Sequence, residues 1–82
     1  MRKLKEEHLL LFKKLGENIK AQREKENISI KELSQKTGIR AEYLKKIEQG
    51  LALRITTTKI FNIATNINIK PSLLVKNIQS VD

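Results

Sequence analysis

Cysteine is missing from the 82 residues, which excludes disulfides, thiolate zinc sites and a cysteine nucleophile. Long apolar runs are missing as well. The longest, Leu9-Leu10-Leu11-Phe12, is four residues, far short of the roughly 20 that a membrane helix needs. Histidine occurs once, at His8, with no acid or second histidine at ligand spacing, so it reads as a surface residue. No Ser/His/Asp set, no paired carboxylates and no glycine-rich phosphate loop are found. The chain is therefore read as a non-enzyme, with no catalytic residue, no metal and no cofactor expected. Proline occurs once, at Pro71, and glycine at Gly16, Gly38 and Gly50. Repeats, low-complexity tracts and alternating strand patterns are absent, so the chain reads as short helices. The opening Met1-Arg2-Lys3 is basic, but the residues after it are too charged for a signal peptide. These absences together point to a reducing cytoplasm.

Positive charge is what the chain has in excess. Seventeen Lys and Arg against nine Asp and Glu give a formal net charge of +8, and the pI is near 10.0. Such a balance attracts polyanions, of which nucleic acid is the commonest. A membrane-surface helix would gather its cations on one long apolar-backed helix, whereas here they spread from Arg2 to Lys76. The length is that of one small domain. A domain of this size buries only roughly 60–65% of its unfolded surface, so it gains from a partner chain.

Five helices can be traced. The first covers about residues 12–26, with Phe12, Leu15, Ile19 and Arg23 at helical spacing. The segment before it can extend the same helix, placing Leu4, His8, Leu11 and Leu15 on one face. We divide the chain into an extension, 1–11, and a domain, 12–79. Gly16 weakens a helix by about 1 kcal/mol relative to alanine, so its position implies a close packing contact. The second helix starts at Ser29, with Glu32 completing a capping box. It runs over about 30–36, with Leu33 inward, and stops at Thr37-Gly38, where glycine permits a tight left-handed turn. Ile39 plugs that turn. The third helix covers about 41–49 and stops at Gly50. Two short helices joined by a glycine-containing turn form a helix-turn-helix. The fourth, capped by Thr56, covers about 57–66, with Ile60, Ile63, Ala64 and Ile67 as its buried stripe. The fifth begins near Pro71, which suits a first helical position, and buries Leu74 and Ile78.

The segments "LGENIKAQREKENIS", "KELSQKTGI", "YLKKIEQG" and "IFNIATNINIKPSLL" carry a family resemblance, in order and at the right spacing. From about Leu15 to Val75 the chain resembles the lambda-repressor-like helix-turn-helix domain of the Xre group of bacterial and phage regulators. The resemblance implies a compact all-α, five-helix DNA-binding domain, usually dimeric, whose second motif helix enters the major groove. Three positions depart from the pattern. Ile30 stands where the family often has glutamine. Arg40 stands where serine or threonine usually caps the third helix. "LALRI" follows Gly50 where a proline is common. A neighbouring branch, similar to the cytoplasmic helix-turn-helix domain of a bacterial cell-shape cytoskeletal anchor, fits "TGIRAEYLKKIEQG" too. That branch binds a protein filament and is the alternative function.

The family pattern pairs Arg23 with Glu48, and both fall on inward stripes here, so the pair is assigned to structure. With Leu44 and Ile47 facing the core, Ala41, Glu42, Lys45, Lys46 and Gln49 face away. In the family's docking, the start of this helix meets base edges. Lysine donates to guanine and glutamate accepts from cytosine, which makes Lys46 and Glu42 candidate base contacts, with Ala41 against a thymine methyl. The macrodipole alone would also favour Glu42 early and lysines late. Arg40 breaks that rule, since a cation at a helix N-terminus opposes the dipole and caps poorly. A phosphate or an acidic partner surface would compensate it. Lys31, Arg54, Thr56, Thr57, Thr58 and Lys59 flank the same face as candidate phosphate contacts. Tyr43 is expected to pack its ring inward with its hydroxyl free for a phosphate. The expected partners are double-stranded DNA and a second copy of the chain, with no membrane and no small-molecule ligand. The expected function is a dimeric, sequence-specific regulator of transcription. Candidate dimer surfaces are the fifth helix, with Leu73, Val75 and Ile78, and the N-terminal leucines.

Overall fold

A computed structural model describes residues 6–52 and 55–74, and their side chains from Leu9 onward. Five helices account for all its regular structure: α1 (Glu6–Lys25), α2 (Ile30–Thr37), α3 (Ala41–Glu48), α4 (Thr57–Asn66) and α5 (Pro71–Leu74). The helix expected from about residue 12 starts at Glu6. No glycine or proline interrupts residues 6–15, so nothing stops the helix from running back through the leucines. At the other end α3 stops one residue short of expectation, with Gln49 as its cap, and α2 continues one residue further, to Thr37.

Left-handed residues close four of the helices. After α1, Asn27 takes φ 57°, the Ile28 N–H reaches back to the Arg23 carbonyl at 3.1 Å and the Asn27 N–H to that of Glu24 at 3.0 Å. After α3, Gly50 takes φ 78°, with Leu51 bonded to the Lys46 carbonyl at 2.8 Å and Gly50 to that of Ile47 at 3.1 Å. After α4, Asn68 takes φ 59°, with Ile69 bonded to the Ala64 carbonyl at 3.1 Å. These pairs are Schellman closures, which satisfy carbonyls that the helix leaves free. The end of α2 is simpler: Gly38, at φ 77°, donates to the Ser34 carbonyl at 2.8 Å. Two of the four left-handed residues are asparagines. Asparagine tolerates this conformation better than other side-chain-bearing residues, and its sequence signal is weaker than that of glycine.

The core is aliphatic. Ile19, Leu33, Leu44, Ile63, Ile67 and Leu74 are fully buried, with Leu15, Ile28, Ile39 and Ile47 around them. Each such side chain contributes about 1.5–3 kcal/mol through apolar burial. α1 packs against α3 and α5, α2 against α3 and α4, and α4 against α5. Gly16 makes the α1–α3 contact possible. A Cβ on it would fall 2.2 Å from the Ile47 carbonyl oxygen and 2.7 Å from that of Glu48. Gly50 makes a second close approach, since its Cβ would meet the Lys13 Cα at 2.6 Å. Two amides on α1 tie down the ends of α4 and α5. Asn18 Nδ2 donates to the Leu74 carbonyl at 2.9 Å, and Gln22 Nε2 to the Ile67 carbonyl at 2.9 Å.

The stripe expected on α4 is only partly inward. Ile63, Ala64 and Ile67 are buried, whereas Ile60 is half-buried and packs against the edge of the same core. Leu4, Val75 and Ile78 lie outside the described residues, as does the His8 side chain.

Candidate nucleic-acid interface

The turn between α2 and α3 has its polar groups bonded from several sides. Upstream, Ser29 Oγ accepts from the Glu32 N–H at 3.0 Å, and Glu32 Oε1 accepts from the Ser29 N–H at 3.3 Å. This reciprocal box starts α2 at a defined residue. Downstream, Thr37 Oγ1 donates to the Leu33 carbonyl at 2.7 Å and accepts from the Ile39 N–H at 3.1 Å. Ser34 Oγ donates to the Ile39 carbonyl at 2.6 Å. Asn62 Nδ2, from α4, donates to the Thr37 carbonyl at 2.9 Å. Ile39 is buried beneath these bonds. The angle between α2 and α3 is therefore held by side chains on α2 and α4 as well as by the glycine.

Beyond the turn, Leu44 and Ile47 anchor the inner face of α3. Its outer face carries Glu42, Lys45, Lys46 and Gln49, all exposed or half-exposed. Ala41, expected to face away, is half-buried, because it starts the helix where the turn packs against the core. Arg40 occupies the N-cap and makes no capping side-chain bond. Its side chain is exposed, so among the described residues nothing compensates the local rule that arginine breaks here. From Ile30 to Gly50 the exposed charges are Lys31, Lys36, Arg40, Lys45 and Lys46 against Glu32 and Glu42. The surface is positive on balance, with negative charge interspersed.

The remaining acid of this region, Glu48, is withdrawn from that surface. Arg23 Nε and Nη2 donate to its two oxygens at 2.7 and 3.0 Å, and Arg23 Nη1 donates to the Ile28 carbonyl at 2.7 Å. The Glu48 side chain is 7% exposed. The hydrogen bonds to Glu48 raise the Arg23 guanidinium above its ordinary value, against the opposing effect of burial. A forked pair of this kind fixes the orientation of α3 relative to α1, and each charge depends on the other to stay buried.

Flanking elements complete the face. Lys31 is exposed in the first turn of α2. Ile30 beside it is half-buried and packed against the core, so the position where the family often carries glutamine is used for packing. Thr56 Oγ1 accepts from the Lys59 N–H at 3.2 Å and caps α4. In that bond the hydroxyl only accepts, so its proton is left to donate, and Thr56, Thr57 and Thr58 are all exposed. Lys59 Nζ lies 4.8 Å from the centroid of the Tyr43 ring. This cation–π contact joins α4 to α3. Tyr43 is half-buried. Arg54 lies outside the described residues.

Sequence reasoning missed two contributors. Asn62 holds the turn, yet nothing in its neighbours distinguishes it from any polar residue of a helix. Lys20, on α1, lines a recess of about 200 Å³ with Arg23, Lys45, Glu48 and Gln49, which adds an α1 cation beside the outer face of α3. Its signal would have been the spacing of Lys20 from Arg23, read together with the α1–α3 contact. Among the described residues no group of His, Cys, Asp or Glu is placed to hold a metal ion. No helix among them is long and apolar enough to cross a membrane.

A search of the curated proteins finds no match. A family model described as Helix-turn-helix matches residues 19–74. That span begins within α1, takes in the turn, α3 and its buried glutamate, and ends with α5. It covers more than half of the chain, which therefore belongs to the lambda-repressor/Xre-like helix-turn-helix family of all-α DNA-binding domains.

Proposed function

We propose that this chain is a sequence-specific regulator of transcription that binds duplex DNA as a homodimer on an inverted repeat, with α3 in the major groove. The observation that carries the reading is the division of α3 into two faces. Leu44, Ile47 and Glu48 are locked inward, while Glu42, Lys45, Lys46 and Gln49 are held outward on a braced turn. Lys46 and Glu42 read base edges. Arg40, Lys31, Lys45 and Lys59, together with Arg54, Thr56 and Thr57, meet phosphates and set the register. Ala41 and Tyr43 lie at the edge of the contact. Residues 12–79 form the DNA-binding unit and 1–11 an extension to it. The protein works in the cytoplasm. Leu73, exposed on α5, belongs to the surface on which the homodimer forms.

Selection of bound sequences from a random duplex pool tests this reading. Enrichment of a two-fold-symmetric motif is the expected result. Recovery of unenriched sequence, even at low salt, would sink it. One observation favours a second reading, a protein-interaction module like the cell-shape anchor domain. Ile30 gives its side chain to packing, so the start of α2 offers DNA no polar group at that position.

A further inference from the structure

We propose that Asn62 is a positioning residue for sequence reading, whose bond to the turn sets the tilt of α3 about a pivot at Glu48. The effect on sequence reading rests on the DNA-binding function proposed above, whereas the tilt is a property of the free chain.

On α4, Lys59, Asn62 and Asn66 follow one another at three and four residues, which places them on one face of the helix. Lys59 and Asn62 both reach the helix-turn-helix. Lys59 lies over the Tyr43 ring, and Asn62 Nδ2 donates to the Thr37 carbonyl at 2.9 Å. Asn66 Nδ2 donates to the Asn62 carbonyl at 2.8 Å and to Asn62 Oδ1 at 3.0 Å. Backbone carbonyls fix the sense of both amides. Only the Asn66 nitrogen can donate to the Asn62 carbonyl, so the Asn62 side-chain oxygen accepts and its nitrogen is left for Thr37.

Among the described residues this is the only hydrogen bond to residues 37–39 from outside α2 and the turn. The others, made by Ser34, Thr37 and the Gly38 N–H, close the turn onto α2. Gly38 adds no restraint of its own. It takes φ 77°, and nothing lies within 4 Å of where a Cβ would stand, while glycine adopts either sign of φ readily. Ile39 is buried, but apolar packing is non-directional and fixes its depth rather than the twist of the backbone above it. The direction of the turn relative to α4 is thus left to Asn62.

At its other end α3 is pinned by the forked bonds of Arg23 to Glu48. The eight residues of α3 rise about 12 Å between these anchors. Released at the turn and held at Glu48, the helix pivots about Glu48. Glu42, near the moving end, is displaced further than Lys46, which lies close to the pivot. Discrimination at the bases met by the start of α3 therefore depends on Asn62 more than discrimination at those met by Lys46. One half-buried hydrogen bond adds little to stability, so its loss falls on selectivity.

Asn62→Asp and Asn62→Leu test the tilt without DNA. The first keeps the acceptor for Asn66 and loses the donor to Thr37; the second loses both. Residual dipolar couplings of the α3 amides against those of α1 measure the tilt. Both variants are expected to fold cooperatively and to depart from the parent in α3 near neutral pH. As pH falls and the new carboxyl takes up a proton, its O–H can donate to Thr37 again. Asn62→Asp should then return toward the parent, while Asn62→Leu stays displaced. The parent at the same pH values accounts for the chain's own carboxylates. Couplings equal to the parent's in both variants would overturn the proposal. So would a displacement of Asn62→Asp that protonation does not reverse, or loss of cooperative folding in both. With DNA, selection from a random duplex pool should give Asn62→Leu a motif weakened several-fold at the positions that Glu42→Ala alters, and little changed at those that Lys46→Ala alters. A motif weakened uniformly, or not at all, would overturn the role in sequence reading. Failure of the parent to enrich any motif would remove that role together with the DNA-binding function, and the couplings would still decide the tilt.

Discussion

At the scale of single residues, Arg23 and Glu48 bind each other out of solvent. Glu48→Ala leaves the guanidinium buried with the Ile28 carbonyl as its remaining described partner, and should cost about 3 kcal/mol. A denaturant midpoint equal to that of the parent would show the charges to be solvated. The direction of the Arg23 shift has a further consequence. A cation whose folded pKa lies above its unfolded value stabilises the fold fully below the unfolded pKa, and loses that contribution only as pH rises through the folded one. For arginine that window lies above ordinary working pH, so the guanidinium itself brings no pH dependence to the fold there.

Arg40 is the residue at which stability and the proposed binding are expected to diverge. Replacing it with serine supplies the cap that α3 lacks, and should stabilise the protein by about 0.5–1 kcal/mol. The same change should weaken binding to every duplex about equally, because phosphates carry no sequence information. Lys46→Ala should leave stability unchanged, cost roughly 1–3 kcal/mol on the preferred site and cost far less on random duplex. Melting curves and competition binding on the two variants separate these outcomes. A parallel loss on both duplexes for Lys46→Ala would remove its base-reading role.

At the scale of elements, the contact of α1 with α3 depends on the missing side chain at Gly16. Gly16→Ala raises intrinsic helix propensity by about 1 kcal/mol, yet its new methyl would collide with backbone, which cannot rotate away. The net result should be destabilisation by about 1–3 kcal/mol, the usual cost of overpacking. A rise in melting temperature would show that the helices part without penalty. Gly16 was legible in the sequence because glycine in a helix interior needs a reason. So were the capping box at Ser29, the stop at Gly38 and the core stripe of α3, since each is a local pattern of a few residues. The start of α1 was less legible, because leucine and lysine are compatible with helix or with its absence, and only a boundary signal decides. Asn62 bonding to Thr37 and Lys59 lying over Tyr43 were not legible. Each joins residues that are distant in sequence, and neither polar type announces its partner. The asparagine closures at Asn27 and Asn68 sit between these cases: local, but carried by a residue that also has many other uses.

For the whole molecule, the net charge of +8 and the cationic surface around α3 imply binding dominated by released counterions. A dimer making six to ten phosphate contacts should lose about a thousandfold or more in affinity between 50 and 200 mM salt. Titration of one duplex over that range measures the slope. A flat response would mean that the positive surface serves another partner. The family assignment and the braced turn do not themselves fix that slope, because it counts contacts made in the complex.

The meeting of Lys59 and Tyr43 also has a use in spectroscopy. Tyr43 is the only tyrosine in the chain, and it lies where α3 and α4 touch. Fluorotyrosine supplied during growth would therefore enter at one place and give one fluorine resonance. The adjoining ammonium group contributes to the chemical shift of that line, beside the core packing of the ring. Docking on a duplex would draw Lys59 toward phosphate and move the resonance, so a single signal in an otherwise empty spectrum follows the approach of α3 to its target.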